Sequence, residues 1–133
     1  RRLDKQELYL KMIETEKDQE ALLAYVKEDL RYIERFASLL WDRFETEVHD
    51  LYEQYIKQEL MKVSHRSGYR RICAIFRRYR PFTTDEAYET LIHQLIAMYP
   101  RRRALIEELQ LLLHELEEEN SNQHVEQLSI DIA

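Results

Sequence analysis

The sequence predicts an all-α fold, and three observations carry that prediction. Among its 133 residues are one Gly and two Pro, so turns that demand a positive backbone dihedral must be few and tight β-hairpins have little to be built from. Apolar residues recur three and four apart through most of the chain, which is the period of a helix face. Capping residues and both prolines fall between those periodic runs, where helices begin and end. The expected architecture is a set of stacked antiparallel helices, tetratricopeptide-like or an irregular helical bundle. Residues 1–118 are expected to form a single helical domain, with 119–133 as a C-terminal arm packed on the body or on a second copy.

Each element has its own signal. Leu8, Tyr9, Met12 and Ile13 share one face of a first helix over about Leu3–Lys17. Asp18 is placed to cap a second helix, whose stripe is Ala21, Leu22, Tyr25 and Val26. Helical spacing then continues through Ile33, Phe36, Ala37, Leu40, Trp41, Phe44, Val48, Leu51, Tyr52, Tyr55, Ile56 and Leu60. With no turn former inside, that run predicts one long or slightly broken helix; Asp42 followed by Glu45, a capping-box spacing, marks where two could join.

Ser64–Gly68, holding Ser, His and the single glycine, is the first predicted loop. Tyr69, Ile72, Cys73, Phe76 and Tyr79 line a short helix that must end before Pro81. Thr83 or Thr84 caps the next helix, Thr83 having Glu86 three residues on. Its stripe runs Tyr88, Leu91, Ile92, Leu95, Ile96 and Tyr99, and Pro100 stops it.

A last helix from about Arg101 carries Leu105, Ile106, Leu109, Leu112, Leu113 and Leu116, with Glu107, Glu108, Glu115 and Glu117 largely outward. Glu118–Gln123 is unperiodic and reads as a frayed end, whereas Val125, Leu128, Ile130 and Ile132 need a surface to rest on. The spacing of Leu8, Tyr9 and Ile13 returns at Leu51, Tyr52 and Ile56, and in part at Tyr88 and Ile92, an irregular echo of stacked helical hairpins.

Composition narrows the function classes. With 44% apolar and 35% charged residues the chain is globular, and it has no apolar run of membrane-spanning length. Its lone cysteine, Cys73, reads as a buried thiol in a reducing, cytoplasmic setting. The absence of an initiator methionine or signal-like stretch at Arg1 suggests a domain of a larger intracellular protein.

Catalytic constellations are missing. His49, His65, His93, His114 and His124 are never three to five residues apart, so no metal site is expected. Cys73 has no neighbouring histidine, and one glycine cannot make a phosphate-cradling loop. Neither a cofactor nor an enzymatic activity is expected.

Charge is the positive clue. Residues 62–103 hold Lys62, Arg66, Arg70, Arg71, Arg77, Arg78, Arg80, Arg101, Arg102 and Arg103 against Asp85, Glu86 and Glu89, a net of about +7 in a chain whose total is -6. Such polarity orients encounters with a partner, and arginine suits bidentate bonding to carboxylate or phosphate. The nine arginines are therefore the candidate binding residues of a non-enzymatic macromolecular-interaction, or scaffold, domain. Its expected partner is a protein or other domains of the parent chain. Two alternatives stay open: a nucleic-acid-binding accessory domain using the same arginines, and a homo-oligomerisation domain. A simpler account of the arginines makes them solvated helix faces neutralised by the glutamates of the first and last helices.

Tyr69-Arg70-Arg71-Ile72-Cys73-Ala74, the helix opening at Ala87-Tyr88, and the run from Met98-Tyr99-Pro100-Arg101-Arg102-Arg103 to Leu109 resemble the helical region that follows the zinc-finger module of bacterial SWIM-type zinc-finger proteins. The resemblance spans about residues 48–110. It implies a tetratricopeptide-like stack acting as an accessory domain. The family's zinc ligands sit in a separate Cys-x-Cys and Cys-x-His module that this sequence lacks, so the resemblance transfers neither a metal ligand nor a nucleic-acid site.

Overall fold

A computed structural model of the chain describes residues 18–132, with side chains through Gln127. The helix expected over Leu3–Lys17 and the side chains of Leu128, Ile130 and Ile132 lie outside the described residues. Among the described residues every regular element is helical: α1 (Gln19–Glu28), a 3-10 turn (Leu30–Tyr32), α2 (Ile33–Trp41), α3 (Glu45–Leu60), α4 (Arg66–Tyr79), a second 3-10 turn (Arg80–Phe82), α5 (Asp85–Met98) and α6 (Arg103–Ile132). They form two compact units that divide between Glu59 and Leu60.

In the first unit Asp18 caps α1, its carboxylate accepting the Ala21 N–H at 3.1 Å. The helix ends at Asp29, whose extended backbone redirects the chain and whose side chain accepts the Arg31 N–H at 3.1 Å. Helices α1 and α2 form an antiparallel hairpin. At its open end Gln19 Nε2 donates to the Leu39 carbonyl at 2.8 Å, and Arg43 pairs with Glu20 at 2.7 Å. Leu22, Leu23 and Val26 of α1 and Ile33, Phe36, Ala37 and Leu40 of α2 are buried, and the Tyr25, Tyr32 and Phe36 rings meet in sequence, tilted, at 5.0 and 6.2 Å.

The long periodic run breaks at Asp42–Phe44. The Arg43 and Phe44 N–H groups both return to the Leu40 carbonyl, at 3.3 and 2.9 Å, and the Phe44 carbonyl opens α3 by accepting the Val48 N–H. The Asp42–Glu45 spacing thus marked the right place, although the Asp42 backbone closes α2 and does not open α3. Packing is the reason for the break. The Tyr52 hydroxyl donates to Glu34 at 2.7 Å, while one continuous helix would hold these residues about 27 Å apart.

In the second unit the chain leaves His65 extended and enters α4 at Arg66. Gly68, expected in a loop, lies in the first turn of that helix. A Cβ there would sit 2.5 Å from Val63 Cβ and 2.8 Å from its Cγ1, so the glycine lets the preceding segment cross over the helix start. Gly68→Ala should therefore lower stability by about 1–3 kcal/mol in urea titrations, despite the better helix propensity of alanine. Gly68→Ala in a Val63→Ala background should regain part of that loss. Unchanged stability in the single variant would refute the steric account.

Helix α4 ends before Pro81 and α5 before Pro100, as their rings require. Thr84 caps α5, accepting the Ala87 N–H at 3.1 Å; Thr83 instead accepts the Tyr79 hydroxyl at 3.1 Å. Both α4 and α5 pack on α6. The core is Ile72, Ile75, Phe76 and Tyr79 of α4, Tyr88, Leu91, Ile92 and Leu95 of α5, and Leu105, Leu109, Leu112 and Leu116 of α6. The echoed positions Leu51, Tyr52, Ile56, Tyr88 and Ile92 are all buried. Helix α6 does not fray after Leu116 but continues, with every residue from Glu117 to Gln127 exposed.

Candidate interaction surface

The basic stretch separates into two parts once it is folded. Arg66, Arg70, Arg77 and Arg80 rise along α4 and into the turn after it on one side. There they meet α6 as a ladder: Arg66 with Glu107 at 2.8 Å and Glu108 at 3.2 Å, Arg70 with Glu108 at 3.1 Å, Arg77 with Glu115 at 2.8 Å, and Arg80 with Glu119 and, at 3.6 Å, Asp85. Residue numbers increase together on both helices, so α4 and α6 run parallel, with α5 as the antiparallel return.

Arg77 grips Glu115 through two bonds, Nε at 3.1 Å and Nη2 at 2.8 Å, the fork that arginine alone offers. Hydrogen bonds to Glu107 and Glu108 raise the Arg66 guanidinium above its usual range, and the Glu115 bond does the same for Arg77. Glu108, expected outward, is 6% exposed at the centre of the ladder. Arg71 and Arg78 lie about a quarter turn further round α4, exposed and engaged within the chain.

The second part is the corner between α5 and α6. Tyr99, Pro100, Arg101 and Arg102 make a turn closed by the Arg102 N–H donating to the Tyr99 carbonyl at 3.1 Å, with proline at its second position. The Arg102 guanidinium stacks on the Tyr99 ring, 4.4 Å from its centre. Its Nη1 is buried without a hydrogen-bond acceptor among the described residues. Arg101 and Arg103 are exposed, and no carboxylate of the described residues lies within ion-pair distance of either. With no acidic residue in the first turn of α6, the corner also places three cations at the helix end whose dipole disfavours them.

No family model, curated protein or solved structure matches the chain. The resemblance to the helical region of SWIM-type zinc-finger proteins thus rests on its short runs alone. Among the described residues no group of three or more His, Cys, Asp or Glu side chains converges as for a metal ion, and no helix is long and apolar enough to cross a membrane. Three histidines lie beside carboxylates one turn away on the same helix: His49 by Glu53, His93 by Glu89 and His114 by Glu118.

Cys73 is 2% exposed in the α4 core, and burial pushes its thiol up from about 9 to about 12. The folded chain therefore keeps a proton that the unfolded chain releases above pH 9. Stability is unaffected below that pH and falls as pH rises through 12. At pH 8 the native thiol should react with iodoacetamide about a thousandfold more slowly than in the urea-unfolded chain. Equal labelling rates would overturn this assignment.

Proposed function

We propose that this chain is a non-enzymatic macromolecular-interaction domain that presents helical surface to a protein partner. The observation that carries the proposal is the division of the arginines. Four are matched to glutamates of the same unit, while Arg101 and Arg103 stand exposed at a fixed corner with no such match among the described residues. A surface that follows a phosphate backbone needs a long row of available cations. The ladder occupies the longest row in the sequence, and the chain as a whole carries -6, so a protein partner fits better than nucleic acid.

The test is recovery of partner proteins by the purified chain, compared with Arg101→Glu/Arg103→Glu and with charge reversal at Arg71 and Arg78. Recovery should be lost with the corner variant while its circular dichroism stays unchanged. Recovery equal to that of the unaltered chain, or binding to single-stranded DNA in its place, would defeat the proposal.

One observation favours a second role in self-association: eleven successive exposed residues on the continuation of α6, with Val125 at 60% exposure. A helix that is polar all round and unsupported is uncommon. Deleting residues 120–133 should then lower the mass in solution from that of an oligomer to that of the single chain, whereas a full-length chain already monomeric would exclude this role.

A further inference from the structure

We propose that the Tyr99–Arg103 corner binds a carboxylate-rich segment of a partner protein, with Arg102 as the orienting donor and Arg101 and Arg103 as flanking charges. The inference rests on the interaction-domain proposal and names the chemistry of its partner.

The corner is built, not merely charged. Proline at its second position and the Arg102-to-Tyr99 backbone bond fix the turn before any partner arrives. The Tyr99 ring holds the guanidinium carbon 4.4 Å from its centre, so little side-chain freedom remains to be lost on binding. Arg102 is only partly exposed, and one edge of its fork, Nη1, is buried with no acceptor among the described residues. A buried donor without an acceptor calls for an explanation. Here no hydrogen bond among the described residues offsets that edge, so the guanidinium charge is not met there by a carboxylate of those residues. The ladder arginines differ, since each has its carboxylate in place.

Carboxylate is favoured over polyphosphate by what surrounds the corner. Three cations sit on consecutive residues of a chain whose total charge is -6, and α6 further on carries the exposed Glu117 and Glu118. An extended phosphate backbone needs a longer row of available cations than the corner holds. Two or three adjacent carboxylates do not, and a guanidinium fork matches their planar geometry.

The experiment uses the full chain and a fluorescent eight-residue peptide of alternating Glu and Ala, with its Gln counterpart as control. The acidic peptide should bind, more weakly as salt rises, and the Gln peptide should not. Arg102→Gln should weaken binding about tenfold. Arg102→Lys, which keeps the charge but loses the fork and the planar stack, should recover only part of it. Circular dichroism of both variants should match the unaltered chain.

No binding of the acidic peptide, equal affinity in Arg102→Lys and the unaltered chain, or tighter binding of single-stranded DNA would overturn the inference. So would a concentration-dependent doubling of mass that Arg102→Gln abolishes, because the occupant would then be a second copy. Partner recovery that survives Arg102→Gln would reject this inference and leave the interaction-domain proposal standing, whereas no recovery by any form of the chain would reject the proposal itself.

Discussion

Phe76→Ala is expected to cost the second unit about 3–5 kcal/mol, the largest loss from any single truncation in it. Phe76 is fully buried, and its ring meets Tyr88 edge-on at 5.6 Å and 87° and Tyr79 at 6.4 Å. Tyr79 and Tyr88 stack at 6.3 Å, so the three rings form one cluster joining α4 to the start of α5. Alanine removes the middle ring from two aromatic contacts and leaves a void that fixed helices cannot close. Phe76→Leu refills most of the volume and should cost about 1–1.5 kcal/mol. Val125→Ala, at an exposed site, should fall within about 0.5 kcal/mol of the unaltered chain. Urea titrations followed by circular dichroism give all three numbers, and a Phe76→Ala loss below about 1 kcal/mol would mean that the cluster does not hold the unit together.

That cluster also shows what periodicity can deliver. Tyr69, Ile72, Cys73, Phe76 and Tyr79 are recognisable as one apolar face because helix spacing is a local property, and all five are buried. The Asp18 cap and the stops at Pro81 and Pro100 follow from backbone chemistry that needs no tertiary knowledge. The break after Trp41 does not. Its sequence contains no residue that forbids a helix, and it exists because Tyr52 and the apolar residues around it gain more by folding back along α2. Gly68 misleads for a similar reason, since its function is to admit Val63, a neighbour chosen by the path of the chain.

The candidate surface is legible only in part. The charge segregation is visible by counting, and the spacing of Arg66, Arg70, Arg77 and Arg80 places them on one face. Which arginines are matched depends on α6 running parallel to α4 in a register that sets Glu108 between Arg66 and Arg70. No local pattern encodes that register. Tyr99 reads as the last residue of an apolar stripe, whereas its ring supports Arg102 after the chain has turned the corner.

Removing Arg66 and Arg70 together should destabilise the second unit by about 3 kcal/mol, because it strands a buried carboxylate. Glu108 is 6% exposed, and its Oε1 accepts from Arg66 Nη1 at 3.2 Å and Arg70 Nε at 3.1 Å. Either arginine alone still leaves one donor, so Arg66→Gln and Arg70→Gln should each cost much less than half of the pair, a coupling that a double-mutant cycle measures directly. The same cluster broken from its other side behaves differently. Glu108→Gln releases two guanidinium groups whose side chains are already 41% and 68% exposed, and water accepts their protons at little cost. Adding Glu108→Gln to the Arg66→Gln/Arg70→Gln background should therefore restore most of the lost stability, since a neutral amide at that site no longer demands a cation. Raising salt should shrink the contribution of Arg66 to Glu107, which lies in water, more than the penalty at Glu108. Urea titrations of the unaltered chain and these five variants at low and high salt decide the matter. If the double arginine variant proves no less stable than Glu108→Gln, the ladder is a solvated decoration and the burial of Glu108 must be sustained by something other than its two arginines.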